Sequence, residues 1–224
     1  MLRICLILLG WRVHRDFPLI VAANRDEFHG RPAAAASFWS DRRGILAGRD
    51  LQARGTWMGV SRSGRFAAVT NYRGAREPSA AESRGALVAR FLENAVAPAA
   101  YVRAIVPNAY SGFNLLAADG RELWWMSNRA GAPRQLESGV YGLANLLLDS
   151  PDVEANKARF GAVIEPAPAI EALFTLLAEA RIVNPDYGTR CSTVLLQSKE
   201  PRTRYAERSF SPDGIELETV QFEF

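Results

Sequence analysis

The sequence predicts an α+β fold, mostly antiparallel sheet with helices packed outside it. Three observations lead there. Short apolar runs bounded by Gly, Pro, Asn, Asp and Ser recur along most of the 224 residues. Many of these runs come as neighbours joined by a short polar turn, the pattern of β-hairpins. Only a few stretches repeat their apolar residues at helical spacing, so helices are the minority element.

The first pair of runs opens the chain. Cys5 lies in the apolar run 4–9, too short to span a bilayer and ended by Gly10, Trp11 and Arg12. A second run, 18–23, stops at Asn24, Arg25, Asp26 and Glu27. Folded as an antiparallel hairpin, the two turn near His14 and put Cys5 roughly opposite Ala23, which brings the polar cluster beside the thiol. The Ala- and Pro-rich stretch 31–37 reads as a loop. Strands follow at 44–47, 56–60 and 66–71, the last two joined through Ser61-Arg62-Ser63-Gly64. Ser83 reads as the N-cap of a helix to Asn94, because Leu87, Val88, Phe91 and Leu92 recur on one face. A weaker helix covers 98–106.

Strands at 112–117 and 122–128 flank the turn Ala118-Asp119-Gly120, and another runs over 139–143. Two helical stretches between 153 and 177 are separated by Pro166 and Pro168. Strands at 193–197 and 216–224 complete the pattern. The pair Trp124-Trp125 alternates across its strand, one ring toward the core and the other toward solvent or a pocket. With no internal repeat or linker, 1–224 reads as one domain, and its 48% apolar and 23% charged residues suit a globular core.

Charge and cysteine usage narrow the function classes. The net charge of +3 comes from Arg scattered among nearly as many acids, which argues against a nucleic-acid partner, and no nucleic-acid-binding motif appears. Two cysteines and two histidines give neither a disulfide framework nor metal-ligand spacing, which points to a reducing compartment. The first residues make a poor signal peptide and a better buried strand, and no other long apolar run follows. The expectation is a cytoplasmic protein without stable membrane insertion.

The chemistry-bearing residues fall at strand ends. Asn24-Arg25-Asp26-Glu27 ends the second strand, Thr70-Asn71-Tyr72-Arg73 the strand from Phe66, and Leu143-Ala144-Asn145 the strand from Gly139. Tyr187-Gly188-Thr189-Arg190-Cys191-Ser192-Thr193 precedes the strand to Gln197. If these ends converge they assemble a thiol, guanidiniums, a carboxylate and two amides. Arg25 or Arg190 would lower the Cys5 pKa, Asn71 and Asn145 could donate to an oxyanion in acyl transfer, and Asp26 could hold a cationic group. The base is the missing part: His14 belongs to the turn, His29 lies just beyond the polar cluster, and the α-amino group of an N-terminal cysteine is the alternative without a side chain.

Plainer readings stand beside these. Cys5 and Cys191 can be small buried hydrophobes. Asn71 and Asn145 can be turn residues, and Asp26 can be the counter-ion of a buried Arg25.

The segments CLILLGW, AANRDEF, LAGRDLQARGTWMGV, GRFAAVTNYR, SRGALV, YGLANLLLDSP, YGTRCSTVLL and ERSF, in this order from Cys5 to Phe210, resemble the NRDE family, also called the transport and Golgi organisation protein 2 family. That family is regarded as similar to the N-terminal nucleophile (Ntn) hydrolases, so the resemblance implies a four-layer αββα sandwich. It also implies a cysteine amidohydrolase acting on a small amide or acyl substrate. Cys5 matches the nucleophile, Arg25 and Asp26 the Arg and Asp of the second strand, Asn145 the oxyanion-hole amide with Asn71 its companion, and Arg190 the late arginine.

The family usually begins Met-Cys, whereas Met1-Leu2-Arg3-Ile4 precede Cys5 here, so this chemistry requires processing before Cys5. It needs no cofactor. The alternative is a binding or trafficking role, in which the same pocket takes a hydrophobic anionic ligand such as haem or an acyl-coenzyme A, with Cys5 able to ligate haem iron as thiolate. A third is a degenerate hydrolase fold kept as an interaction module.

Overall fold

In the computed structural model, residues 5–73, 81–165, 167–200 and 202–224 are described. In chain order they form β1 (Leu6–Trp11), β2 (Leu19–Phe28), β3 (Ala33–Phe38), β4 (Ile45–Asp50), β5 (Met58–Ser61), β6 (Phe66–Asn71), α1 (Arg84–Glu93) and α2 (Pro98–Ala104). Then come β7 (Phe113–Ala118), β8 (Leu123–Ser127), β9 (Arg134–Gln135), β10 (Gly139–Leu143), α3 (Glu154–Ile164), α4 (Ile170–Ala178), β11 (Tyr187–Gln197), β12 (Thr203–Phe210) and β13 (Glu216–Glu223). They divide into two compact units, one taking in residues up to Arg31 with Ser138–Ala144 and Asp149–Phe224, the other Pro32–Glu137 with Asn145–Leu148.

The first unit is a six-stranded sheet in the order β10-β1-β2-β11-β12-β13, antiparallel at every pairing. Alternation sends Leu6, Leu8, Ile20, Ala22, Val194, Leu196 and Ala206 to one face, which Phe160 and Ile164 of α3 and Leu173, Phe174 and Leu177 of α4 cover. Each such fully buried Leu or Phe contributes about 1.5–3 kcal/mol by leaving water.

The second unit is a seven-stranded sheet in chain order from β3 to β9. Its Ile45, Ala67, Val69, Phe113, Leu115 and Met126 pack against Leu87, Val88, Phe91 and Leu92 of α1 and Val102 of α2. The start of α1 lies directly on the chain before β5. A Cβ built on Gly55 would stand 2.5 Å from the carbonyl carbon of Gly85, and the Thr56 N–H donates to Gly85 O at 3.3 Å. Glycine at both positions lets the two backbones approach this closely.

Several expectations change. The β1–β2 register pairs Ile7, not Cys5, with Ala23, because the turn is a longer loop in which Arg12 takes a positive φ and its N–H bonds Pro18 O. The stretch 31–37 is mostly strand β3, an edge strand whose register shifts between Ala34 and Ser37, and β12 adds a strand that no apolar run predicts. Ser83 does precede α1, but through its backbone: its carbonyl accepts from Ala86 N–H, and its hydroxyl makes no cap. Trp124 and Trp125 are both buried, Trp125 under the Arg134 guanidinium. Of the residues expected to break the helices between 153 and 177, Pro166 lies outside the described residues.

Candidate functional site

The polar clusters depart furthest from expectation. Asn24 to Glu27 do not end β2, and Tyr187 to Thr193 do not precede β11: both clusters run inside these strands and pair with each other. The side chains explain why the ladder continues through so polar a stretch. Ser192 O–H donates to Asn24 Oδ1 at 2.6 Å, Asn24 Nδ2 donates to the Leu177 carbonyl at the end of α4, and Thr189 O–H donates to Asp26 Oδ1 at 2.6 Å. Each of these buried polar groups finds a partner across the strand pair or on α4, so the sheet need not end. Arg190 is the residue skipped in the pairing, since the register shifts between Thr189 and Cys191.

Cys5 precedes β1 and is held by the backbone N–H and carbonyl of Asp26. Its thiol donates to Asp26 O, and the Asp26 N–H donates to its Sγ, both at 3.4 Å. Tyr187, to which the sequence alone assigns no role, donates its phenol O–H to the same Asp26 carbonyl at 3.1 Å. Its ring meets Phe28 edge-on with centroids 5.3 Å apart.

The electrostatics oppose a ready thiolate. Burial and then the Asp26 carboxylate push the Cys5 thiol up to about 12, outweighing the lowering effects of the Asp26 backbone hydrogen bond and of Arg25. The Asp26 carboxyl is itself pushed up to about 7 by burial, against the lowering hydrogen bond from Thr189 and charge of Arg25. Its Oδ2 is buried with no hydrogen-bond partner. Asp26 is thus a carboxyl poised to change charge near neutrality, with an acceptor atom to spare.

The arginines divide their work. Arg25 is buried at 6% exposure, its Nη2 is 3.9 Å from Glu27 Oε2, and its charge is felt by Cys5, Asp26 and Cys191. Glu27 is therefore a counter-ion of Arg25 beside Asp26, whose carboxyl also feels the Arg25 charge. Arg190 Nη1 donates to the carbonyls of Phe28, His29 and Arg31, strapping the turn after β2, and its charge is not among those that shift Cys5. His29 Nε2 sits 3.0 Å from Asn184 O, which fixes Nε2 as the protonated nitrogen. Cys191 is buried and its thiol is pushed up, first by burial and then by Glu207.

The two asparagines belong to the second unit. Asn145 Nδ2 donates to the Asn71 carbonyl at 2.6 Å, and Arg73 N–H donates to Asn145 O at the same distance. The structure therefore joins Asn71 and Asn145 through the backbone of the first, while the Asn71 side chain is exposed. Beside them Asn114, fully buried, donates to Leu146 O and Thr70 Oγ1 and keeps Oδ1 without a partner. Asn114 escapes the sequence reading, although a lone Asn inside the apolar run FNLLAA is the kind of signal that finds such a residue.

No group of three or more His, Cys, Asp or Glu side chains suited to a metal occurs among the described residues. No helix among them is long and apolar enough to cross a membrane.

Among solved structures the chain is similar to the Caenorhabditis elegans N-acylethanolamine-hydrolyzing acid amidase ortholog, with a TM-score of 0.52 at 11% identity, over 86% of this chain and 92% of that one. The fold is Ntn-hydrolase-like, and at that identity the likeness speaks for fold alone. Among curated proteins it is 36% identical to the Bos taurus Transport and Golgi organization protein 2 homolog and 32% identical to the Homo sapiens one, in each case over 93% of this chain and 92% of the relative. With the Transport and Golgi organisation 2 family model also matching residues 4–212, the chain belongs to that family.

Proposed function

We propose that the protein is an Ntn-type cysteine amidohydrolase for a small amide or acyl substrate, with Cys5 as its nucleophile once the preceding residues are removed. One observation carries this reading: the residue whose α-amino group processing would free is already bound to Asp26, whose carboxyl keeps a buried oxygen without a partner. In the unprocessed chain the negative charge of Asp26 raises the thiol. A new ammonium on Cys5 would neutralise that charge, lower both groups together, and as the free amine serve as the base that takes the thiol proton.

In this reading Cys5 attacks the carbonyl carbon, its proton passes to its own amine, and the amine returns it to the leaving nitrogen. Water then hydrolyses the acyl-enzyme. Arg25 offsets part of the thiol's rise, and Arg190 keeps the turn after β2 in shape. Asn71 and Asn145 keep the oxyanion-donor roles that family resemblance gives them, and the chain works as one domain. With two cysteines in 224 residues, too few for a disulfide framework, the setting we infer is a reducing, cytoplasmic one.

Binding of haem through a Cys5 thiolate is the weaker reading, because burial and Asp26 both work against forming that thiolate. The test compares the full chain with one that begins at Cys5 after methionine removal, against a panel of small acyl amides and with peptide-mapped alkylation of Cys5. The shortened chain should label faster and turn over an amide. A folded shortened chain that does neither overturns the reading.

A further inference from the structure

Tyr187 lies outside every role assigned so far, yet it shares an atom with the nucleophile. The buried Asp26 carbonyl accepts from the Cys5 thiol at 3.4 Å and from the Tyr187 phenol at 3.1 Å. The two donors differ in what happens when Cys5 ionises. The S–H proton leaves and the sulfur becomes negative, so it can no longer donate to that oxygen. The phenol O–H stays.

A buried carbonyl facing a new thiolate with no donor left would carry a desolvation cost that falls only on the ionised state. With Tyr187 in place the oxygen keeps a donor in both states. The Asp26 N–H, on the neighbouring peptide, donates to the sulfur and becomes a charge-assisted bond to the thiolate.

We propose that Tyr187 is a positioning residue for the nucleophile, acting through the Asp26 carbonyl to make the Cys5 thiolate easier to form. This rests on the reading of Cys5 as nucleophile but not on amide hydrolysis. The surroundings hold the phenol in place for this. Tyr187 and Phe28 are register partners on β11 and β2, and the edge-on contact of their rings keeps the hydroxyl over the end of β2. Phe28 is 46% exposed, so the pair stands at the surface side of the thiol's surroundings rather than in the core.

The experiment measures the rate of Cys5 alkylation by iodoacetamide against pH, read at the Cys5 peptide by mass spectrometry, in the full chain. Tyr187→Phe keeps the ring and removes only the hydroxyl; Phe28→Leu keeps the hydroxyl and removes the ring contact. The proposal expects Tyr187→Phe to lower the rate at pH 8 about tenfold and to move the profile to higher pH. It expects Phe28→Leu to leave the profile near that of the parent.

Superimposable profiles for Tyr187→Phe and parent overturn it, and so does an equal shift in both variants, which would make the aromatic contact the cause. Amide turnover is measured separately on the chain beginning at Cys5. A shifted alkylation profile without turnover therefore leaves this inference standing and removes only the hydrolase reading.

Discussion

The backbone of Asp26 grips the Cys5 sulfur with both its groups, its N–H donating to Sγ and its carbonyl accepting from S–H, each at 3.4 Å. The neutral thiol is the form this grip satisfies completely, since it uses sulfur both as acceptor and as donor. The Asp26 N–H bond by itself favours the thiolate, but burial and then the Asp26 carboxylate outweigh it and push the pKa up to about 12. At neutral pH the unprocessed chain should therefore carry on the order of a thousandfold less thiolate at Cys5 than an ordinary cysteine. Alkylation at mildly alkaline pH, followed at the Cys5 peptide, should be correspondingly slow, and labelling as fast as that of glutathione would contradict the geometry.

Arg25 and Arg190 should separate cleanly by substitution. Arg25 lowers the Cys5 pKa, so Arg25→Gln should slow Cys5 alkylation further. Arg190 instead holds three carbonyls of the turn after β2, so Arg190→Gln should cost about 1–3 kcal/mol in urea unfolding with little change in the labelling profile. The reverse pattern would return Arg190 to the role of tuning the thiol.

Asp26 makes stability depend on pH in a definite direction. Its pKa rises from 3.8 to about 7 on folding, so the native state binds this proton more tightly than the unfolded chain does. Its contribution favours the fold below pH 4 and is lost progressively as pH rises to about 7. Asp26→Asn mimics the neutral form, and should be more stable than the parent at pH 8 by on the order of 4 kcal/mol while differing little at pH 4. Denaturant midpoints at the two pH values decide this, and a parent chain as stable as the variant at pH 8 would refute it.

The asparagines can be told apart in the same way. The Asn71 side chain is exposed, so Asn71→Ala should change stability by less than about 0.5 kcal/mol. If it donates to an oxyanion, turnover by the processed chain should still fall about a hundredfold. Asn145→Ala should also cost about 1 kcal/mol of stability, because it removes the donor to the Asn71 carbonyl.

Gly55→Ala should destabilise the protein by about 1–3 kcal/mol, since its methyl would press on the backbone of Gly85 rather than on a side chain that can move aside. Thermal melting measures it, and an unchanged melting temperature would mean that α1 shifts freely on the sheet.

How much is legible in the sequence follows from which interactions are local. Alternating apolar runs disclose β1, β6, β7, β8 and β10, and the spacing of Leu87, Val88, Phe91 and Leu92 discloses α1. The strand β3 is hidden because Ala carries little β signal, and β12 because its charged residues interrupt the alternation. The site residues Cys5, Arg25 and Asp26 are visible as a cluster. Their electrostatics are not, because the sign of the thiol's shift depends on burial, and burial is set by strands far away in sequence. Thr189 and Tyr187 stand within a recognisable motif, but their hydroxyls acquire meaning only from the β2–β11 register.

That register also sets an order of events. Asp26 and Thr189 are 163 positions apart, whereas the strands from β3 to β9 lie within one continuous stretch between Pro32 and Glu137. As the chain leaves the ribosome, the second unit can close while the β1–β2 hairpin still waits for β11 along its outer edge. Cys5 thus precedes by far in the chain the strand β11 that pairs with the strand holding it. Before β11 emerges, Asp26 lacks its Tyr187 and Thr189 partners, and Cys5 should be more open to oxidants than in the folded protein.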